Sequence, residues 1–173
     1  QESRGLGDVY KRQVLIIEGI HALNPLLTDR LPSDRLFRIY ISGLTVAKND
    51  DGTYFPTTDN RLIRRMVRDA QFRNTTASST LARWPSVRRG ENKWVVPFQT
   101  NADANFCTAF QYELALLKHQ AIPLLCQVEA SDPNYMEAQR LKWVMEHFHD
   151  ISVDMLPPDS LLREFIGGSA FEY

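Results

Sequence analysis

The sequence has 173 residues, 43% of them hydrophobic and 24% charged, a composition ordinary for one folded domain that excludes an intrinsically disordered chain. Lys and Arg number 20 against 21 Asp and Glu, for a formal net charge of −1, so no global field draws the molecule to nucleic acid or to a membrane. No apolar run approaches the roughly 20 residues that span a bilayer, and Cys107 and Cys126 lack C-x-x-C spacing, so reduced thiols in a cytoplasmic protein are expected rather than a disulfide framework or zinc knuckle.

The chain opens on two halves that do not match. From Ser3 to Gln13 the residues are what one reading frame of the read-2 adapter of transposase-based library preparation encodes. Residues 1–13 are therefore expected to be an adapter-derived scar, set aside as any fusion remnant would be. Gly5 and Gly7 are accordingly not read as a phosphate loop. Residues 14–173 are expected to be part of one domain whose coding sequence began upstream of Val14.

Val14-Leu15-Ile16-Ile17 is a short unbroken apolar run that predicts a strand buried on both faces, stopped by Glu18 and Gly19. Leu23 to Leu31, with Pro25 in the first turn, predicts a short helix. Leu36 to Ile41 is rich in strand formers, and residues 48–52 form a polar loop after it. A helix follows, capped by Thr58 or Asp59, with Leu62, Ile63, Met66, Val67 and Ala70 on its apolar face. Thr75–Arg83 and Ser86–Val96 predict two further short helices around Trp84-Pro85. Asp103–Cys107 predicts a strand, Tyr112–Leu125 and Tyr135–Phe148 predict helices, and Asp159 would cap a last helix ending at Gly167-Gly168. Alternating strands and helices point to an α/β layer fold.

Two features carry chemistry. A carboxylate on the last residue of a buried strand is costly without a cation beside it, and the carboxyl ends of strands are where open α/β sheets bind ligands. Glu18 is thus placed to hold Mg²⁺ beside nucleotide phosphates, the alternative being a solvated strand end. The second feature is a crowd of arginines: Arg61, Arg64, Arg65, Arg68, Arg73, Arg83, Arg88 and Arg89. Guanidinium groups suit phosphate oxygens because their planar fork donates bidentately and stays charged. The alternative is a solvated or salt-bridged helix face.

Val14-Leu15-Ile16-Ile17-Glu18-Gly19-Ile20-His21 followed by Thr58-Asp59-Asn60-Arg61-Leu62-Ile63-Arg64-Arg65-Met66-Val67-Arg68-Asp69 resembles the uridine kinase/phosphoribulokinase family of P-loop kinases. Two later stretches, Ala82 to Glu91 and Leu162 to Ser169, resemble a bacterial branch of uridine-kinase-like nucleoside kinases often fused behind a TGS-type domain, which the parent would then carry upstream. The likeness covers residues 14–169.

It implies a doubly wound parallel sheet with a helical lid, here lacking the P-loop strand, and ATP-dependent phosphorylation of a uridine-like nucleoside 5′-hydroxyl with ATP and Mg²⁺ as cofactors. By the same likeness Glu18 is the Mg²⁺-associated acid, and Arg65, Arg68 and Arg73 are catalytic arginines at the transferring phosphate. His21, Arg61 and Arg64 would contact the acceptor, His21 having packing beneath the lid as its alternative role. Thr75 stands where better-known uridine kinases have another substrate-contacting arginine, which sets uridine itself in question.

Nothing after Val14 matches G-x-x-x-x-G-K-S/T, the loop whose amides and lysine cradle phosphates. The chain is therefore expected to be the C-terminal portion of a kinase domain, inactive by itself. Its Val14–Ile17 and Leu36–Ile41 strands would bracket a gap, closed either by their pairing or by residues of the scar. Two other functions remain open: an RNA- or phosphate-binding module with a vestigial kinase fold, and a kinase for a sugar phosphate. His147 and His149 alternate on a predicted helix and so share no face for a metal. Trp84, Trp94 and Trp143 are read as packing residues.

Overall fold

A computed structural model describes residues 13–44, 48, 52 and 54–172. Strand β1 (Ile39–Ser42) leads to helix α1 (Thr57–Arg73) and then to helix α2 (Ala77–Trp94). A six-residue 3₁₀ segment, Val96–Asn101, returns the chain to strand β2 (Ala104–Cys107), after which α3 (Glu113–Cys126), α4 (Tyr135–Glu146) and the single-turn α5 (Arg163–Ile166) complete it. Among the described residues 52% are helical, beside a two-stranded parallel sheet. The chain is a mixed helix-and-strand fold of α/β character.

The core lies among the helices rather than on the sheet. Leu62, Ile63, Met66 and Val67 recur at helical spacing on α1 and are fully buried against α3. Helix α3 buries Leu114 to Leu117 in succession, so its first turn is covered all round while His119, Pro123 and Cys126 are exposed further on, and α4 contributes Ala138, Leu141 and Met145. Helix α5 and its flank add Leu162 and Phe165. No β1 or β2 residue belongs to this cluster.

Helix α1 ends where Asn74 takes a left-handed conformation, φ 48°, and the Thr75 amide donates to the Asp69 carbonyl at 3.0 Å. Its N-cap is Pro56, without a side-chain cap. Neither Thr58 nor Asp59 caps it, because both lie inside the first turn. At the start of α2 the Ser79 amide donates to the Thr76 hydroxyl at 3.2 Å. The two helices expected around Trp84-Pro85 are one: α2 runs through Pro85. A proline there forfeits one backbone bond and costs on the order of 3 kcal/mol, and the burial of Ala77, Thr80 and Leu81 against α1 holds the turn before it in place.

The N-terminal region departs most from expectation. Val14–Ile17 is irregular and open to solvent, with Val14 89% and Ile16 88% exposed. A strand needs a neighbour to satisfy its backbone, and among the described residues none pairs with it. Nor do Val14–Ile17 and Leu36–Ile41 close up on each other. Strand β1 pairs instead with β2, in parallel, from Ile39 opposite Ala104 to Ser42 opposite Cys107. Of the scar expected over residues 1–13, residues 1–12 lie outside the described residues.

Leu23–Leu31 is not a helix but a 3₁₀ turn, Pro25–Leu27, with Pro25 at its first position and the Leu26 amide donating to Asn24 Oδ1 at 3.1 Å. Leu26 and Leu27 stay exposed, so no packed face rewards a longer helix. The last helix begins without Asp159: Leu162 occupies the N-cap, and Gly167 ends the helix at φ 87°.

Candidate functional site

Crossing from β1 to β2 through two helices brings the carboxyl ends of both strands together, and one α1 arginine reaches them. Arg64 Nη2 donates to the Thr108 carbonyl at 2.7 Å and to Glu113 Oε2 at 2.6 Å. Its Nη1 donates to Thr108 Oγ1 at 3.1 Å, and its Nε closes the fork on Glu113 Oε1. The Arg64 side chain is 17% exposed and that of Glu113 is 1% exposed. Gly43, just past β1, leaves room for this guanidinium: a Cβ there would lie 3.4 Å from Arg64 Nη1.

A buried carboxylate is tolerated only when paired and hydrogen-bonded, and Glu113 is both, accepting also from the Phe110 amide at 3.3 Å. At the strand ends, where ligands of open α/β sheets bind, Arg64 already gives four of its five donors to protein groups.

The other α1 arginines have acidic partners too. Arg61 pairs with Glu91 of α2, which also holds Arg88. Asp69 sits between Arg65, at 3.3 Å, and Arg73, at 2.7 Å, one helical turn to either side. It accepts in addition from Thr80 of α2. Arg68 reaches Glu164 at 2.8 Å and lies over the Phe165 ring at 5.2 Å.

Burial sets Arg64 apart from the other α1 arginines, the Arg61 side chain being 39% exposed. The side chains of Arg65, Arg68 and Arg73 remain 33%, 43% and 56% exposed, each with one acidic partner, and the Nε atoms of Arg65 and Arg68 are buried without a hydrogen-bond partner. Arg83 and Arg89 make no ion pair among the described residues, and both are exposed.

The remaining expected residues lie elsewhere. Glu18 is exposed on the irregular N-terminal segment and forms no ion pair among the described residues. The structure thus gathers Arg61, Arg64, Arg65, Arg68 and Arg73 on one helix without pairing Glu18 to any of them. His21 sets its ring edge against Trp94, centroids 6.1 Å apart, consistent with the packing alternative. An open cleft of about 280 Å³ beside it is lined by Leu23, Pro25, Arg38 and Asn101, none of them an expected site residue.

A lone carboxylate such as Glu18 has the hard oxygen chemistry Mg²⁺ prefers, but that ion takes its other ligands from water and phosphates. No cluster of three or more His, Cys, Asp or Glu side chains suited to a metal occurs among the described residues.

Glu91, Glu113 and Glu164 were not singled out in the sequence. They lie 30 or more residues along the chain from Arg61, Arg64 and Arg68, so no local pattern marks those pairings; Asp69, four residues from Arg65 and Arg73, and Glu91, three from Arg88, were the partners legible by spacing.

Electrostatics away from α1 is structural. Hydrogen bonds to Glu137 and Asp59, which ties α4 to α1, raise the Arg140 pKa above its ordinary value. Hydrogen bonds from Ser78, then from the Asn134 backbone, hold Asp132 below the usual carboxylate value of 3.8, and one from Lys118 does the same for Asp150.

No protein-family model matches the chain, and comparison with curated proteins and with solved structures likewise finds no match. No helix among the described residues is long and apolar enough to cross a membrane.

Proposed function

We propose that residues 14–173 are the C-terminal portion of a uridine-kinase-like P-loop kinase domain, whose intact parent phosphorylates the 5′-hydroxyl of a uridine-like nucleoside with ATP and Mg²⁺. The observation that carries the reading is the motif pair, the Val14–His21 run and the Thr58–Asp69 arginine run, in that order.

The disposition of the arginines supports it. Arg65, Arg68 and Arg73 present partly free guanidinium donors from one helix, which is what neutralising a transferring phosphoryl group requires. Arg64 is engaged by buried Glu113, so in this reading it braces the lid and does not touch the acceptor, whereas Arg61, with Glu91 as its acidic partner and its side chain 39% exposed, stays open to it. When bound, Mg²⁺ would supply charge neutralisation at the phosphates, and Glu18 is the residue that would hold it. The chain itself has no phosphate-cradling loop and is inactive.

Recovery of the coding sequence upstream of Val14, followed by a nucleoside-dependent ATP turnover assay on the full-length parent, tests this. A P-loop motif with activity that falls at least about a hundredfold in the Arg68→Ala parent is expected. A parent with neither the motif nor nucleoside-dependent turnover overturns it.

A second reading rests on Arg83 and Arg89, exposed on α2 and without an ion pair among the described residues: an RNA-phosphate surface. It requires Mg²⁺-independent RNA affinity that collapses with salt.

A further inference from the structure

We propose that Glu164 is an internal ligand for Arg68: its carboxylate holds the guanidinium until a phosphate group displaces it. The inference rests on the kinase reading in taking the ligand to be a phosphate, and it adds a gate to that site.

Arg64 and Arg68 stand one turn apart on α1 over the same Phe165 ring, their guanidinium carbons 5.7 and 5.2 Å from its centroid. Each also meets a glutamate, and the two pairs are unlike. Arg64 grips both oxygens of Glu113, whose side chain is 1% exposed, so that pair is sealed in the interior. Arg68 Nη2 meets Glu164 Oε1 at 2.8 Å, with the two side chains 43% and 30% exposed. An exposed pair holds weakly, because water and salt screen it. Arg68 Nε is buried without a hydrogen-bond partner, so the carboxylate leaves part of the guanidinium fork unused. A phosphate group brings more acceptor oxygens and more charge than a carboxylate, and therefore competes for the same fork at an advantage.

The segment that carries Glu164 is held so that only its side chain has to move. Phe165 is 4% exposed, and its carbonyl accepts from the Gln71 amide of α1. Leu162, at the head of α5, is buried as well. Arg163 donates to the carbonyls of Val153 at 3.0 Å and Gly167 at 3.3 Å, and the Ala170 amide donates to that of Pro158 at 2.7 Å. The chain turns back there through Gly167 and Gly168, φ 87° and 70°. Glu164 is the only acid of α5. Rotation about its own side-chain bonds takes the carboxylate into solvent while the Phe165 ring stays in place beside Arg68.

Calorimetric titration of inorganic pyrophosphate into the 173-residue chain at low ionic strength tests the gate, since it reads occupancy of Arg68 without turnover. Glu164→Gln and Glu164→Ala are each expected to bind pyrophosphate at least roughly threefold more tightly than the unaltered chain, with helical circular dichroism unchanged. Glu129→Gln, which removes the same charge from an exposed position between α3 and α4, should leave the affinity as it was. Arg68→Ala added to Glu164→Gln should erase the gain, the coupling that a double-mutant cycle isolates. Equal or undetectable affinity in the unaltered chain and both Glu164 variants overturns the proposal, as does a gain that survives Arg68→Ala or is matched by Glu129→Gln. Loss of the helical signal in both Glu164 variants also overturns it, because Glu164 is then a structural tie. A full-length parent without P-loop or nucleoside-dependent turnover would end the kinase reading and leave the gain in this chain intact, whereas an active parent without the gain would end the gate alone.

Discussion

Glu113 is a carboxylate without solvent, and its charge is sustainable because Arg64 grips both of its oxygens while also binding Thr108. Removing the guanidinium would strand a buried negative charge, a loss of about 3–5 kcal/mol. Arg64→Ala is therefore expected to lower the urea unfolding free energy by that order. Arg64→Lys should recover only part of it, since an ammonium cannot donate in a bidentate fork. Arg83→Ala, at an exposed position with no ion pair among the described residues, should stay within about 0.5 kcal/mol of the parent. Equal losses at Arg64 and Arg83 would contradict the assignment of Arg64 as a structural brace.

Helix α2 shows what packing does to local propensity. Trp84-Pro85 is a break signal in sequence, yet the helix runs from Ala77 to Trp94. Ala77, Thr80 and Leu81 are buried against α1, and Glu91 ties the far end back to Arg61, so both flanks are held and the proline's penalty is absorbed. Pro85→Ala should therefore raise stability by on the order of 1–3 kcal/mol, read as a higher denaturant midpoint with unchanged helical content. A fall would mean that Pro85 is needed where it stands.

The helices α1, α3 and α4 were legible because their apolar faces repeat at helical spacing over three or more turns. Val14–Ile17 was read as a strand on the same principle of apolar content. A four-residue run makes no internal hydrogen bonds, and whether it becomes a strand depends on a neighbour that no local pattern specifies.

At the scale of the whole molecule, a helical core held by arginine–carboxylate ties supports a small sheet at its margin. Acid should loosen it in a definite direction. Asp132 and Asp150 have folded-state pKa values below the ordinary 3.8, so the stability they contribute is fully present above that value and is lost as pH falls below it through the folded-state values. Urea midpoints measured across this acid range should drop, and Asp132→Asn should drop less steeply because it has no proton to take up. A parallel acid dependence in the variant would remove Ser78–Asp132 from the account.

The amino-acid sequence by itself determined the helical register of the core, the strand character of Ile39–Ser42 and Ala104–Cys107, the glycine stop at Gly167 and the crowding of arginines on one helix, because each is a matter of spacing within a few turns. Only the tertiary structure decided which acid each of those arginines holds, that Pro85 does not interrupt α2, that β1 lies beside β2, and that an apolar sheet face is left open. Those outcomes depend on groups brought together from distant parts of the chain, where burial turns a surface charge into a required ion pair and the lack of a neighbour turns a strand former into an exposed, irregular segment.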